Sequence, residues 1–449
     1  MVVKMTRRDA MKISATLVAG TGLSGCLAEP KVETKSIETV EFAPLPKPKA
    51  KRVVVVGGGW SGLSLAKELK LLSPTTDVVL VEPRFEFVSC PMSNLWLVGN
   101  IELEFLTHDY LQGARNHNYT YFNATATGVD KDKSILFTTN GAIKYDHLVF
   151  ATGIDYDYSF WTDDVELERR LRQEYPPAFK PGSEHITLRN KIQNFKGGTF
   201  IFTVPAGNYR CLPAPYERTC MVADYFKQKG IDAKIILLDE NNDITIKEEG
   251  FHSAFKDLYK DIVTYIPNSK IENIDLDKKI VETEFDEFSF DDASFYPHVR
   301  GSKILEVCGI AKNTPYNRLE GDINPVTYEV NGYSNIYISG DARPMGFSKS
   351  GNTSNTEAKY VANLIATKIE NKPNIKWQSP VTVCISLVAI KPERGIFIHS
   401  EYAYYKDKKA FGFATPVTNE VWQGKMGLDN AQYAYDWANS MYVDMFGNV

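Results

Sequence analysis

The sequence predicts an α/β protein with two dinucleotide-binding-type (Rossmann-like) domains, followed by a small α+β C-terminal domain. Three observations carry that prediction. Arg52 to Val56 is a β-branched run that leads straight into a glycine cluster and then an apolar helical period through Leu63, Ala66, Leu69 and Leu72. GGTFIFTVPAG from Gly197 to Gly207 and AKIILLDE from Ala233 to Glu240 read as strands of a second α/β unit inserted into the first. HLVFATG (His147 to Gly153) and NIYISGDA (Asn335 to Ala342) each read as a strand ending in a small-residue turn, and both return the chain to the first unit.

The chain has 449 residues, more than one ordinary core accommodates, so several domains are expected. Its first 26 residues stand apart from the fold. MVVKMTRRDAMKISATLVAGTGLSGC combines Arg7 and Arg8 with a short apolar run and a small-residue end, the form of a twin-arginine export address. The apolar stretch from Ile13 to Gly25 is too short and too glycine-rich for a stable bilayer span. It ends in Leu-Ser-Gly-Cys, which resembles a lipoprotein box. Cys26 is then either a lipidated first residue, tethering the mature chain to a membrane, or a small residue beside a cleavage site. Such a route carries folded proteins, so the address points to a periplasmic protein with a cofactor acquired inside the cell. Residues 27–50 are rich in Pro, Lys and Glu without an apolar period, and read as a linker.

The following strand, glycine turn, helix and strand (Asp77 to Val81) open a cofactor domain. Gly57-x-Gly59-x-x-Gly62 lies where its glycines permit a tight turn, the approach of a pyrophosphate and close helix packing. The helix N-terminus then faces the phosphates. Glu82 ends the next strand about 20 residues on, where a carboxylate accepts ribose hydroxyls. The alternative, a glycine loop serving backbone geometry only, leaves the place of Glu82 to chance. FAD is expected over NAD because the chain returns with Ala151, Thr152 and Gly153, and again with Gly340 and Asp341. Asp341 belongs near the ribityl-pyrophosphate region or serves as a helix N-cap. Lys349 joins this cofactor-binding set. Residues 51–160 and 306–375 are thus assigned to the FAD domain, 161–305 to the second α/β domain and 376–449 to a C-terminal interface domain.

Three segments in this order, VEPRFEFVSCPMSNLWLVG, YRCLPAPYER and GDARPMGFSKSG, resemble the flavoprotein subunit of flavocytochrome c sulfide dehydrogenase and related flavoproteins of sulfur-oxidation clusters. The resemblance implies a disulfide-reductase type of fold. It also implies a flavin tied through its 8α-methyl carbon to a cysteine soon after the ribose-binding glutamate, the place of Cys90; the alternative is an inert buried thiol. At Cys211 it implies a redox-active cysteine near the flavin, and at Glu217 a carboxylate that moves a proton or tunes that thiol. Glu217 could instead pair with Arg218 or Arg210. The family's second redox cysteine is expected directly after GDA, where this chain has Arg343. Cys220, Cys308 and Cys384 remain as partners for Cys211. Arg343 could stabilise reduced flavin, bind an anionic sulfur substrate, or serve a structural ion pair.

The expected activity is FAD-dependent oxidation of sulfide to zero-valent sulfur or polysulfide, with electrons leaving to a separate c-type cytochrome. A thiol or other sulfur donor, or a non-catalytic flavin-bearing accessory subunit, are the alternatives. Other classes are excluded more simply. A net charge of -5 offers no basic surface for nucleic acid. No C-x-x-C-H attaches haem to this chain. The seven histidines show no metal-ligand spacing, so no metal is expected. The second α/β unit lacks a glycine fingerprint, which makes nicotinamide a poor electron partner. The Tyr-rich C-terminal portion reads either as part of a cytochrome interface or as the cover of its own domain.

Overall fold

The computed structural model describes residues 40–373 and 375–447. Arg7, Arg8 and Cys26 lie outside the described residues. The cofactor domain is built on five parallel strands, in the spatial order Ile336–Ile338, His147–Phe150, Arg52–Val56, Asp77–Val81, Thr120–Phe122. Central strands of such a sheet are covered on both faces and need continuous apolar runs rather than alternation. Val53, Val54 and Val55 meet that need by being wholly buried, each worth about 1.5–3 kcal/mol over exposure. Val56 lies level with Val81 and Phe150, so the strands end together. The Trp60–Leu72 helix packs on this sheet, and the Gly351–Ile369 helix packs on that helix. Ligands of open parallel sheets sit beyond such carboxyl ends, at a reversal of strand order.

The second domain is a four-stranded parallel sheet in the order Val263–Ile266, Ala233–Asp239, Gly198–Val204, Asp292–Ser294. Its Ala214–Lys229 helix is buried along most of its length. Ile154–Asp157 pairs antiparallel with His298–Gly301, so the chain leaves the first domain and re-enters it through one two-stranded doorway.

The C-terminal segment is less separate than its reading as an interface domain implies. Thr382–Ile390, Glu393–Ser400 and Val417–Asn419 form an antiparallel sheet, and Gly424–Phe446 is a helix. Leu387, Val388 and Ile390 enter the core of the second domain, while Met441, Tyr442, Met445 and Phe446 enter the core of the first. The backbone N–H of Ile390 donates to Asp224 at 2.6 Å, and Lys67 pairs with Asp444 at 2.6 Å. The segment therefore clamps the two α/β domains together. Several of its aromatic residues, Tyr402 and Tyr442 among them, are spent on this packing. The end of the predicted linker is also part of the body: Glu41 and Ala43 exchange backbone hydrogen bonds with Ala142. Among the described residues no helix is long and apolar enough to cross a membrane.

Candidate active site

A cavity of about 400 Å³ lies beyond the carboxyl ends of the first sheet, lined by Gly57, Gly59, Glu82, Gly153 and Asp341 among others. Two fingerprint glycines are required by the protein itself. Gly57 has φ +102°, and a Cβ there would lie 2.5 Å from the Ala151 carbonyl oxygen; at Gly62 it would lie 1.8 Å from that of Gly57. Gly59 differs, because a Cβ there would meet nothing within 4 Å. Its side is kept bare toward the cavity, the form expected where a pyrophosphate approaches the backbone. The Trp60–Leu72 helix begins here with no acidic residue in its first turn and no side-chain cap, leaving its N–H groups to an anion. Trp60 Nε1 is buried on this cavity without a partner.

Glu82 is 3 % exposed; it accepts from the Gly58 N–H at 2.8 Å and from Arg84 Nε at 2.8 Å, which fixes its carboxylate at the cavity edge. Asp341 sits inside the Gly340–Ala342 turn, where Ser354 donates to it at 3.1 Å and Arg210 Nε lies 3.3 Å away. It is no helix N-cap; Ser350 caps the following helix. Ala151, Thr152 and Gly340 line the same cavity. Lys349 lies deeper, bonded to Glu320 at 2.7 Å and to the Asp341 carbonyl at 2.5 Å, and faces the second cavity instead. A bare glycine edge, an uncapped helix end and an orphan indole N–H together fit a bound flavin dinucleotide.

The second cavity, about 70 Å³, shares Arg210, Ser350 and Gly351 with the first. It gathers Cys90, Cys211, Glu217 and Cys384 from three separate segments. Cys211 has φ +60°, a left-handed conformation uncommon away from glycine, and its N–H donates to the Lys349 carbonyl at 2.8 Å. Burial pushes its thiol well up, with Cys384 and Glu217 adding to the rise and Lys247 and Arg210 opposing it. Burial likewise raises the Cys384 thiol, opposed first by Lys247. Glu217 enters from the first turn of the Ala214–Lys229 helix. Its carboxylate accepts from the Leu387 N–H and from Asn94 Nδ2, each at 2.8 Å. Burial raises this carboxyl, and those two hydrogen bonds moderate the rise. Neither expected arginine pairs with it, because Arg218 is taken up by Asn94 and the Pro177 and Ala178 carbonyls.

The five described cysteines are free thiols. Of the three partners left open for Cys211, only Cys384 lines its cavity; Cys220 is wholly buried in the second-domain core and Cys308 packs in the first. Arg343 lines neither cavity. It is 0 % exposed and ion-paired at 2.8 Å with Glu357, also 0 % exposed. The residue after GDA thus serves the core, the structural alternative, and the second thiol of the cavity comes from the C-terminal sheet. Lys247, absent from the sequence-based set, reaches the site from its far side: its ammonium donates to the Cys384 carbonyl at 3.3 Å and to Ser386 Oγ at 2.6 Å.

The second domain has closed its own nucleotide position. Asp239 ends its second strand where a ribose-binding acid would stand, yet it is filled by hydrogen bonds from Tyr216 (2.7 Å), Tyr265 (3.0 Å) and Asn241 (2.8 Å). The helix that should receive phosphates instead places Glu217 in its first turn, which repels them.

Residues 186–296 match the family model of the sulfide dehydrogenase [flavocytochrome c] flavoprotein chain, central region; residues 378–446 match the flavin-binding region of flavocytochrome c sulphide dehydrogenase. Residues 51–165 match the pyridine nucleotide-disulphide oxidoreductase model. The sulfide dehydrogenase [flavocytochrome c] flavoprotein chain of Chlorobaculum thiosulfatiphilum is 61% identical over 44 residues, 10% of this chain and 92% of that sequence. The sulfide-quinone reductase of Aquifex aeolicus is 24% identical over 361 residues, 75% of this chain and 81% of the relative. The crystal structure of the Aquifex aeolicus sulfide:quinone oxidoreductase superposes with a TM-score of 0.71 at 20% identity, covering 89% of this chain and 92% of that one, a likeness of fold. With the thiol cavity and the glycine-edged cavity joined as described, this chain belongs to the family of the flavocytochrome c sulfide dehydrogenase flavoprotein chain.

Proposed function

We propose that this chain, holding FAD, oxidises sulfide to zero-valent sulfur or polysulfide and passes the electrons to a c-type cytochrome outside the cytoplasm. One observation carries the reading: Cys211 and Cys384 share a small cavity whose walls at Arg210, Ser350 and Gly351 are also walls of the cofactor cavity. FAD supplies a two-electron acceptor that can release electrons singly. Gly59, the helix N-terminus and Glu82 would hold its pyrophosphate and ribose, and Cys90 would bind it covalently.

The protein's own part is thiol chemistry. In the oxidised state Cys211 and Cys384 share a disulfide. Hydrosulfide attacks one of the two sulfurs, the S–S bond breaks, and a persulfide and a thiolate result. Glu217 takes the persulfide proton, a role its raised carboxyl suits. The two cysteine sulfurs then rejoin, the extra sulfur departs, and an electron pair leaves for the cofactor. Per hydrosulfide, one sulfur atom, one proton and two electrons are released. Lys247 and Arg210 offset the negative charge that builds on the thiolates. The cavity volume of about 70 Å³ suits hydrosulfide better than a bulky thiol.

Anaerobic stopped-flow measurement of visible flavin absorption tests the reaction. Bleaching by sulfide with electrons recovered on cytochrome c is expected. No bleaching by sulfide removes the reading, and bleaching by a thiol or thiosulfate alone replaces the substrate. The location rests on Arg7 and Arg8. Mass analysis of the mature N-terminus, with cell fractionation, checks both export and lipidation of Cys26.

A further inference from the structure

Arg210 stands where the two cavities meet. Its Nη1 donates to the Phe179 carbonyl at 3.0 Å, and the Cys90 thiol donates to that same carbonyl at 3.4 Å. Guanidinium and thiol are therefore held on one oxygen. The peptide bearing it is well fixed: the Phe179 ring stacks on Tyr296 with centroids 4.0 Å apart, Arg218 lies over the Phe179 ring at 4.1 Å, and Tyr296 donates to the Arg210 carbonyl at 2.9 Å. On its other side Arg210 Nε faces Asp341 at 3.3 Å, inside the cofactor cavity.

We propose that Arg210 is the positioning residue for covalent attachment of the flavin: it fixes the Phe179 carbonyl that holds the Cys90 thiol, and its charge lowers the cost of losing the thiol proton as the thioether forms. The inference rests on the reading that Cys90 carries the flavin. In that reaction a C–S bond replaces the S–H bond of Cys90 and one C–H bond of the flavin 8α-methyl group. Two protons leave and the electron pair stays on the flavin. A one-electron acceptor of the cytochrome class, or dioxygen in vitro, then removes it. Only the thiolate is nucleophilic, so a dry site must supply a cation.

The charged groups around Cys90 point to the same residue. Burial raises its thiol and Glu184 adds to that; Arg210, Arg84 and Arg218 oppose it, Arg210 most. Arg84 is already committed to Glu82, and Arg218 to Asn94 and two backbone carbonyls. Tyr442, near enough to couple to Cys90, stays neutral because its own phenol is pushed up by burial.

The test uses the full chain with Arg210→Met, Arg210→Lys and Cys90→Ser. Flavin surviving denaturation is read by in-gel fluorescence and by mass. Cys90 alkylation by iodoacetamide is followed against pH in flavin-free protein. Wild type should keep its flavin and Cys90→Ser should release it. Arg210→Met, folded by circular dichroism, should link about ten-fold more slowly or worse at neutral pH for each unit its thiol rises. Raised pH should restore linkage, and the alkylation profile should move upward. Arg210→Lys should fall between; if the Met variant does not fold, its linkage rate and alkylation profile decide. Equal linkage rates and an unmoved profile in both variants overturn the role of Arg210 alone. A wild-type chain that releases its flavin overturns the attachment reading as well.

Discussion

Cys211 and Cys384 are set beside neighbouring residues of one loop: the Cys211 N–H donates to the Lys349 carbonyl at 2.8 Å, and Ser350, the next residue, lines the same cavity as Cys384. Cys384 belongs to a strand of the C-terminal sheet and Cys211 to the turn before a second-domain helix, so their meeting depends on the clamp formed by the C-terminal segment.

Cys211→Ser and Cys384→Ser should each abolish bleaching by sulfide while leaving flavin content unchanged, because the glycine edge, the helix end and Glu82 that would hold the dinucleotide are untouched. Flavin-to-protein ratio and anaerobic bleaching, measured on one preparation, separate the two effects. Cys220→Ser, in a core position outside both cavities, should bleach at the wild-type rate.

Glu217→Gln should slow bleaching by about 10²–10⁴-fold, the usual range for losing a general base. Its pH behaviour has a definite sign. Burial raises the folded carboxyl above its unfolded value, so the folded state holds the extra proton between the two values. Stability from this group is complete below the unfolded value and is lost as pH rises through the folded one. Glu217→Gln removes that cost near neutral pH but turns its amide NH₂ toward the Leu387 or Asn94 donor, so its unfolding temperature should change little. It should also lose the acid limb of the rate profile, which in wild type lies above the ordinary carboxylate range. A variant both slow and unstable at neutral pH would assign Glu217 a structural role instead.

Lys247→Met should raise the Cys384 thiol further, since the Lys247 ammonium is the main charge opposing its burial. Iodoacetamide labelling of Cys384 should then need higher pH, and bleaching should slow most at low pH. Labelling that does not shift with pH would remove Lys247 from the site.

The two kinds of fingerprint glycine should respond oppositely. Gly62→Ala puts a Cβ 1.8 Å from the Gly57 carbonyl, which the backbone must move to relieve, at a cost of about 1–3 kcal/mol or more. Gly59→Ala meets no protein atom within 4 Å and should cost less than about 1 kcal/mol, yet it fills the side facing the cofactor and should weaken FAD binding. Denaturant midpoints and flavin titration read the two quantities.

Much of this was legible in the sequence where local pattern and position coincide. Gly57, Gly59 and Glu82 lie close along one strand–helix–strand unit, and their spacing alone puts them on one cavity, with Gly62 packed behind it against Gly57. Asp341 returned to it through a strand ending recognisable from its small residues. The thiol partner had no such signal. Cys384 sits in VTVCISLVAI, an alternating strand in which a cysteine reads as one more small apolar residue, and only the packing of that strand on the Ala214–Lys229 helix brings it to Cys211. Lys247 was hidden for the same reason, a lysine in a loop that tertiary structure happens to bury. Position after a motif also misled at Arg343, whose side chain turns away from the cavity into the core.

Arg343 supplies the last and most separable prediction. Its guanidinium and the Glu357 carboxylate are fully buried together, and Glu357 Oε2 also accepts the Gly340 N–H at 2.9 Å. The pair thus steadies the turn that presents Asp341 to the cofactor. Removing one member leaves a buried charge without its partner, a loss of about 3–5 kcal/mol, whereas replacing both by apolar side chains of similar volume can be nearly neutral. Arg343→Met should therefore lower the unfolding temperature sharply, and Arg343→Met with Glu357→Leu should recover much of it. In either folded protein hydrosulfide should bleach the flavin at close to the wild-type rate, because Arg343 reaches neither the thiols nor the cofactor cavity. A stable Arg343→Met chain that no longer reacts with sulfide would instead give this arginine a direct part in the chemistry.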